Sequence, residues 1–72
     1  MPITSVDEIR PRAQAALSAS PFYELRELQV EQLGETLLIS GTVSSFYHKQ
    51  LAQEAVRSVS EGIEVSNSIR VE

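Results

Sequence analysis

A single histidine, His48, and a complete lack of cysteine leave this sequence few groups able to do covalent chemistry. A hydroxyl nucleophile needs an adjacent base, and no Ser occupies a Gly-x-Ser-x-Gly elbow that would present it to one. General acid–base work by His48 requires a carboxylate or a second imidazole beside it, and no such partner is evident. His48 falls near the apolar stripe of a helix, where a partly buried ring packing against a sheet is expected. Glu27 and Glu31 share one face of a strand and approach Ser66, Ser68 or Arg70 if a third strand lies alongside. A calcium ion collects about six to eight oxygens from a dedicated loop, so that face reads instead as solvated, with weak ion pairs. No catalytic residue, metal site or cofactor is therefore expected.

The aromatic residues carry more information. All four occur as two Phe-Tyr pairs, Phe22-Tyr23 and Phe46-Tyr47. The first pair precedes a strand and the second follows the strand antiparallel to it, which brings both to the same end of a sheet. Tyr47 is expected to point toward the core stripe of its helix, and Phe46 to project nearly opposite and stand exposed. Two readings follow. The rings form a hydrophobic plug closing the core, or they form a contact surface for a protein partner or a membrane interface.

These groups are positioned by a clear succession of periodic segments. Val6, Ile9, Ala13, Ala16 and Leu17 recur at helical spacing, predicting a helix over about 7–19 with its regular part from Glu8, so that Pro11 stays near the first turn. Leu28 and Val30 alternate with polar residues in a first strand at about 25–32, with Leu25 out of parity. Leu33-Gly34 reads as a two-residue hairpin tip, pairing Leu28 and Val30 with Leu37 and Ile39. The second strand covers 36–43. A helix over 45–61 follows, capped by Ser44 or Ser45, with Tyr47, Leu51, Ala52, Ala55, Val56 and Val59 as its stripe. Residues 62–72 form a third strand with Ile63, Val65, Ile69 and Val71 on one face. It returns by a right-handed crossover, parallel to the second strand. The expected fold is α+β, an αββαβ two-layer sandwich with two helices on the one apolar face of a three-stranded mixed sheet. Gly34, Gly41, Gly62 and Asn67 read as fold-specifying: positive φ in turns, close approach of a helix to the sheet, and a side-chain hydrogen bond in a strand or bulge.

Seventy-two residues make one domain with a small core and no disulfide to staple it, a situation often relieved by self-association. The two open edges of a three-stranded sheet offer a homo-oligomer by strand addition. A net charge of −4 with scattered Lys and Arg excludes a nucleic-acid binder and weakens purely electrostatic attraction to anionic lipid. The N-terminus has no signal-peptide pattern and no apolar run reaches membrane-spanning length. The chain as written is expected to be cytoplasmic, or periplasmic or envelope-associated if it is a fragment of a longer exported protein.

From Gly34 through Gly41-Thr42-Val43, the Ala-containing helix and Gly62-Ile63, to Val65, Asn67, Ile69 and Val71, the pattern resembles the BON domain, a small bacterial module named for osmotic-stress and nodulation-associated proteins. The resemblance covers most of the chain. It implies the αββαβ fold and a non-enzymatic adaptor role, contacting membranes, phospholipid or envelope proteins.

Overall fold

The structure, a computed structural model, describes residues 6–60 and 62–72, and of Val6 and Asp7 only the backbone. The Val6 side chain, expected on the first stripe, and Glu61, expected to end the long second helix, lie outside the described residues. The elements in chain order are α1 (Val6–Ser18), α2 (Tyr23–Arg26), β1 (Gln29–Leu33), β2 (Thr36–Val43), α3 (Phe46–Ser60) and β3 (Glu64–Val71). The sheet order is β1-β2-β3, antiparallel between the first two and parallel between the last two. The α+β sandwich expected from the sequence is thus present, with a single helical turn, α2, added before the hairpin.

Burial explains why α1 is helical. Ile9, Ala13 and Leu17, every fourth residue, are buried in the core. Full burial of an Ile or Leu contributes about 1.5–3 kcal/mol, whereas an isolated helix of this length is marginal in water. Docking also lets the helix begin at Val6 and enclose Pro11, which was expected in the first turn and stands exposed inside the helix. Across the layer, α3 buries Ala52 and Val56, with Leu51, Ala55 and Val59 packed against the core; the sheet supplies Val30, Leu37, Ile39, Val43 and Ile69, and the residue entering it supplies Leu28.

The hairpin is shifted from the expected register. Val30 pairs with Ile39 and Leu33 with Thr36, so the two-residue tip is Gly34-Glu35 rather than Leu33-Gly34. Gly34 takes φ +63, the left-handed conformation that lets the tip start there. Leu37 consequently faces Gln32, and Leu28 comes to lie against Gly41. A Cβ built on Gly41, where φ is +135, would stand 2.5 Å from Leu28 Cδ2. The close neighbour at Gly41 is therefore Leu28, just ahead of β1, and not a helix. Leu25 was out of parity because it belongs to α2, where it is buried.

The expected approach of Glu27 and Glu31 to β3 does not occur. Glu27 caps the C-terminus of α2, and Leu38 lies between Glu31 and Ser66 on the outer face.

The two sheet edges also differ, against the expectation that both are open. The β1 pairings leave even-numbered residues facing outward. Gln14 of α1 clasps them: its Nε2 donates to the Leu28 carbonyl at 2.9 Å, and its Oε1 accepts the Val30 amide at 2.9 Å. Arg10 Nη1 donates to the Val30 carbonyl at 3.2 Å. The first helix thus occupies much of the β1 edge with its own polar side chains.

Three stability outcomes follow. Gly41→Ala forces a methyl against buried Leu28 at a left-handed φ, and chemical denaturation should register a loss of about 2–3 kcal/mol. At Gly34, where the added methyl meets open space, Ala should cost about 1–2 kcal/mol, set by φ alone. Gln14→Ala removes both clasping bonds and should cost about 1–2 kcal/mol in the same assay.

Candidate functional site

Local chain geometry brings α2 to the start of α3. The amide of Phe22 donates to Ser20 Oγ at 3.0 Å, turning the chain at Pro21 so that α2 begins at Tyr23. At the other side of the hairpin, Ser45 caps α3: its Oγ accepts the His48 amide at 3.2 Å. Glu24 of α2 reaches this helix start, where its Oε1 accepts the Ser44 amide at 2.9 Å. A carboxylate at a helix N-terminus is favoured by the partial positive charge of the unpaired amides. The same Oε1 lies 3.0 Å from His48 Nδ1.

The carboxyl of Glu24 is held below its ordinary value of 4.5, chiefly by the Ser44 amide, then by the Ser44 hydroxyl, with partial burial opposing and the charge on His48 adding. His48 therefore has the carboxylate partner that the sequence did not reveal. The ring is partly buried, as expected. It lies among aromatics, 5.3 Å from Phe22 and 5.8 Å from Tyr47 between centroids.

Two of the four Phe and Tyr rings, Phe22 and Tyr47, meet here around His48, while Tyr23 and Phe46 stand on the adjoining first turns of α2 and α3. Phe22 and Tyr47 stand edge to face at 6.3 Å. Arg26 lies over the Tyr23 ring, 5.9 Å from its centroid. Tyr47 does not enter the core stripe of α3 as expected and is 62 % exposed, because the buried row of Ala52, Val56 and Ser60 runs back at every fourth residue to His48 and leaves Tyr47 on another face. Tyr23 and Phe46 are 67 % and 74 % exposed, and Phe22 is 38 % exposed. None of the four belongs to the buried core, and Phe22, the least exposed, lies beside Leu25 and Leu51 at its margin.

Ser45, His48 and Glu24 meet here, but both oxygens address the same ring nitrogen, Nδ1, with Ser45 Oγ at 3.1 Å. A nucleophilic relay needs the hydroxyl on one imidazole nitrogen and the acid on the other. Ser45 Oγ is moreover committed to capping α3. This cluster fastens α2 to α3, and its chemistry is structural. Among the described residues no three His, Cys, Asp or Glu side chains converge on a metal-sized site, and no helix is long and apolar enough to cross a membrane.

The residues singled out for architecture lie elsewhere. Asn67 is on the core face of β3, where its Nδ2 donates to the Lys49 carbonyl at 3.3 Å and to Gln53 Oε1 at 3.1 Å, while its Oδ1 accepts the Ile69 amide at 3.0 Å. It latches α3 to β3. Gly62 follows the end of α3 with φ +89. Sequence reasoning missed Glu24, whose only signals were Pro21 opening a helical turn and the parity misfit of Leu25. Between the C-terminal part of α1 and α3 runs an apolar groove, lined by Ala16, Ala19, Leu25, Leu51 and Ala55, which ends at Phe22.

Because the folded-state pKa of Glu24 is depressed, its contribution to stability is present above pH 4.5 and is lost as pH falls through the lower folded value. Glu24→Gln keeps an acceptor but cannot titrate. Denaturation of both proteins over a pH series should show wild type the more stable well above pH 4.5, with the difference closing in acid.

A family model described as the BON domain matches residues 5–72. No curated protein matches the chain.

Proposed function

The chain belongs to the BON domain family, a non-catalytic module of envelope and osmotic-stress proteins, and we propose that it acts as a binding module whose contact surface is the aromatic end. The observation that carries this reading is the exposure of Phe22, Tyr23, Phe46 and Tyr47 together at one end while the core contains no aromatic ring. Large rings left in water are a cost that burial against a partner removes. They stand on short, mutually packed segments, so little ordering is needed on contact.

The chemistry of the surface describes its partner. Phe and Tyr present apolar rings with a polar hydroxyl, a combination suited to the headgroup level of a bilayer or to the apolar patch of a membrane-associated protein. With a net charge of −4, attraction rests on ring burial and only weakly on anionic headgroups. Adhesion should therefore change little with salt.

Vesicle flotation with zwitterionic and anionic phospholipid, beside a pull-down from detergent-solubilised envelope proteins, tests the proposal. Phe46→Ala should abolish association in whichever arm supports it and leave the melting temperature nearly unchanged, since the ring is 74 % exposed. Association that survives both Phe46→Ala and Tyr47→Ala would overturn the aromatic end as the contact surface.

A further inference from the structure

The edge of β3 is arranged differently from that of β1. The Glu72 amide donates to the Val43 carbonyl at 2.9 Å, so even-numbered residues of β3 face β2 and odd-numbered ones turn their backbone groups outward. On that outward row the Ile69 amide is taken by Asn67 Oδ1 and the Ile63 amide by the Ser60 carbonyl, at 3.0 and 2.9 Å. Between them the amides of Val65 and Asn67 meet no partner among the described residues. Nothing from a helix covers them as Gln14 and Arg10 cover β1. The outward amide of Val71 lies farther on, past Ile69, and the stretch of Val65 and Asn67 is the one in the half of β3 nearest Gly62.

A groove of about 360 Å³ runs beside that stretch, lined by Gln53, Arg57 and Ser60 from α3 and by Ile63, Glu64 and Val65. Lys49, Gln53 and Arg57 recur every fourth residue, so one flank of α3 overlooks this edge. The contacts of Asn67 with Lys49 and Gln53 fix that flank above β3. Neither Lys49 nor Arg57 forms an ion pair among the described residues, although Glu outnumbers the basic residues in the chain. Glu64, the acidic residue at the groove, alternates onto the outer face of the sheet, away from the α3 flank.

We infer that the Val65–Asn67 edge and the Lys49–Gln53–Arg57 flank form a receptor for an extended, acidic peptide segment of a partner protein, added to the sheet as a fourth strand. Main-chain bonds to the outward groups of Val65 and Asn67 supply the docking geometry, and alternate side chains of the segment point to the α3 flank, where carboxylates meet Lys49 and Arg57. A second copy docking by its own β3 would bring its α3 over the same seam, where helices need about 8–10 Å of separation while paired strands lie about 4.8 Å apart. A lone extended segment has no such conflict. This site is separate from the aromatic end, and its test does not depend on that surface.

The probe is a short N-acetylated synthetic peptide alternating Val and Glu, compared with one alternating Val and Lys, titrated into the isotope-labelled full chain. Binding of the Glu peptide should shift the amide signals of Val65 and Asn67, slow their hydrogen exchange, and leave Phe22 and Tyr47 unmoved. Arg57 is exposed, so Arg57→Glu should fold normally and weaken binding by about tenfold or more. Equal binding of the Lys peptide, shifts confined to β1 or to the aromatic end, or no shift at millimolar peptide would each overturn the proposal.

Discussion

The absence of a side chain at Gly41 is the constraint on which the rest of this fold is arranged. Leu28 occupies the space that a Cβ would fill, and so the chain entering β1 lies flush on the end of β2. That seat fixes the hairpin register, with Val30 against Ile39 and the tip at Gly34-Glu35. The same seat aligns the Leu28 carbonyl and the Val30 amide with Gln14 of α1. One glycine thereby links the internal order of the sheet to the docking of the helical layer. Buried apolar surface supplies most of the favourable energy, but it is non-directional and would tolerate a neighbouring register.

What the sequence made legible was everything written as a period. Ile9, Ala13 and Leu17 at helical spacing, Leu37 and Ile39 at strand spacing, and the stripe of Ala52 and Val56 all lie in the core, and the two-layer architecture follows from them. The hairpin parity was legible and its register was not, because a shift by two residues keeps every side chain on its face. The α2 turn escaped because a segment of its length carries no readable period. Glu24 with Ser44, and Gln14 with Leu28 and Val30, escaped for another reason. Each joins a polar side chain to a distant backbone group, and no spacing rule connects such partners. Tyr47 lies four residues before Leu51, which is only half-buried at the margin of the stripe, whereas the buried row of Ala52 and Val56 leads back to His48, so one position of helical phase separates the two readings.

Polar side chains in this protein act mainly as positioning devices. Ser45 starts α3, Glu24 ties α2 to that start, Asn67 ties the middle of α3 to β3, and Gln14 ties α1 to β1. No buried side-chain polar atom lacks a partner among the described residues. Such directional bonds add modest net stability each, and they select one arrangement from the many that similar apolar burial allows. They also explain how rings can remain exposed: the segments bearing them are fixed by hydrogen bonds and so have no need of the rings as an anchor.

The bond from Glu24 to Ser44 spans twenty residues, with the whole hairpin between its ends. Closing a loop of that size carries an entropic cost that a helix ordinarily avoids by capping itself locally. Here one cap of α3 is local, through Ser45, while the other exists only after β1 and β2 have paired. The first turn of α3 therefore belongs cooperatively to the hairpin rather than to the remainder of its own helix. The parallel crossover to β3 thus leaves from a turn that the antiparallel pair helps to hold in place. The two strand pairings of the sheet, one local and one long-range, are thereby tied together at a single point, the start of α3.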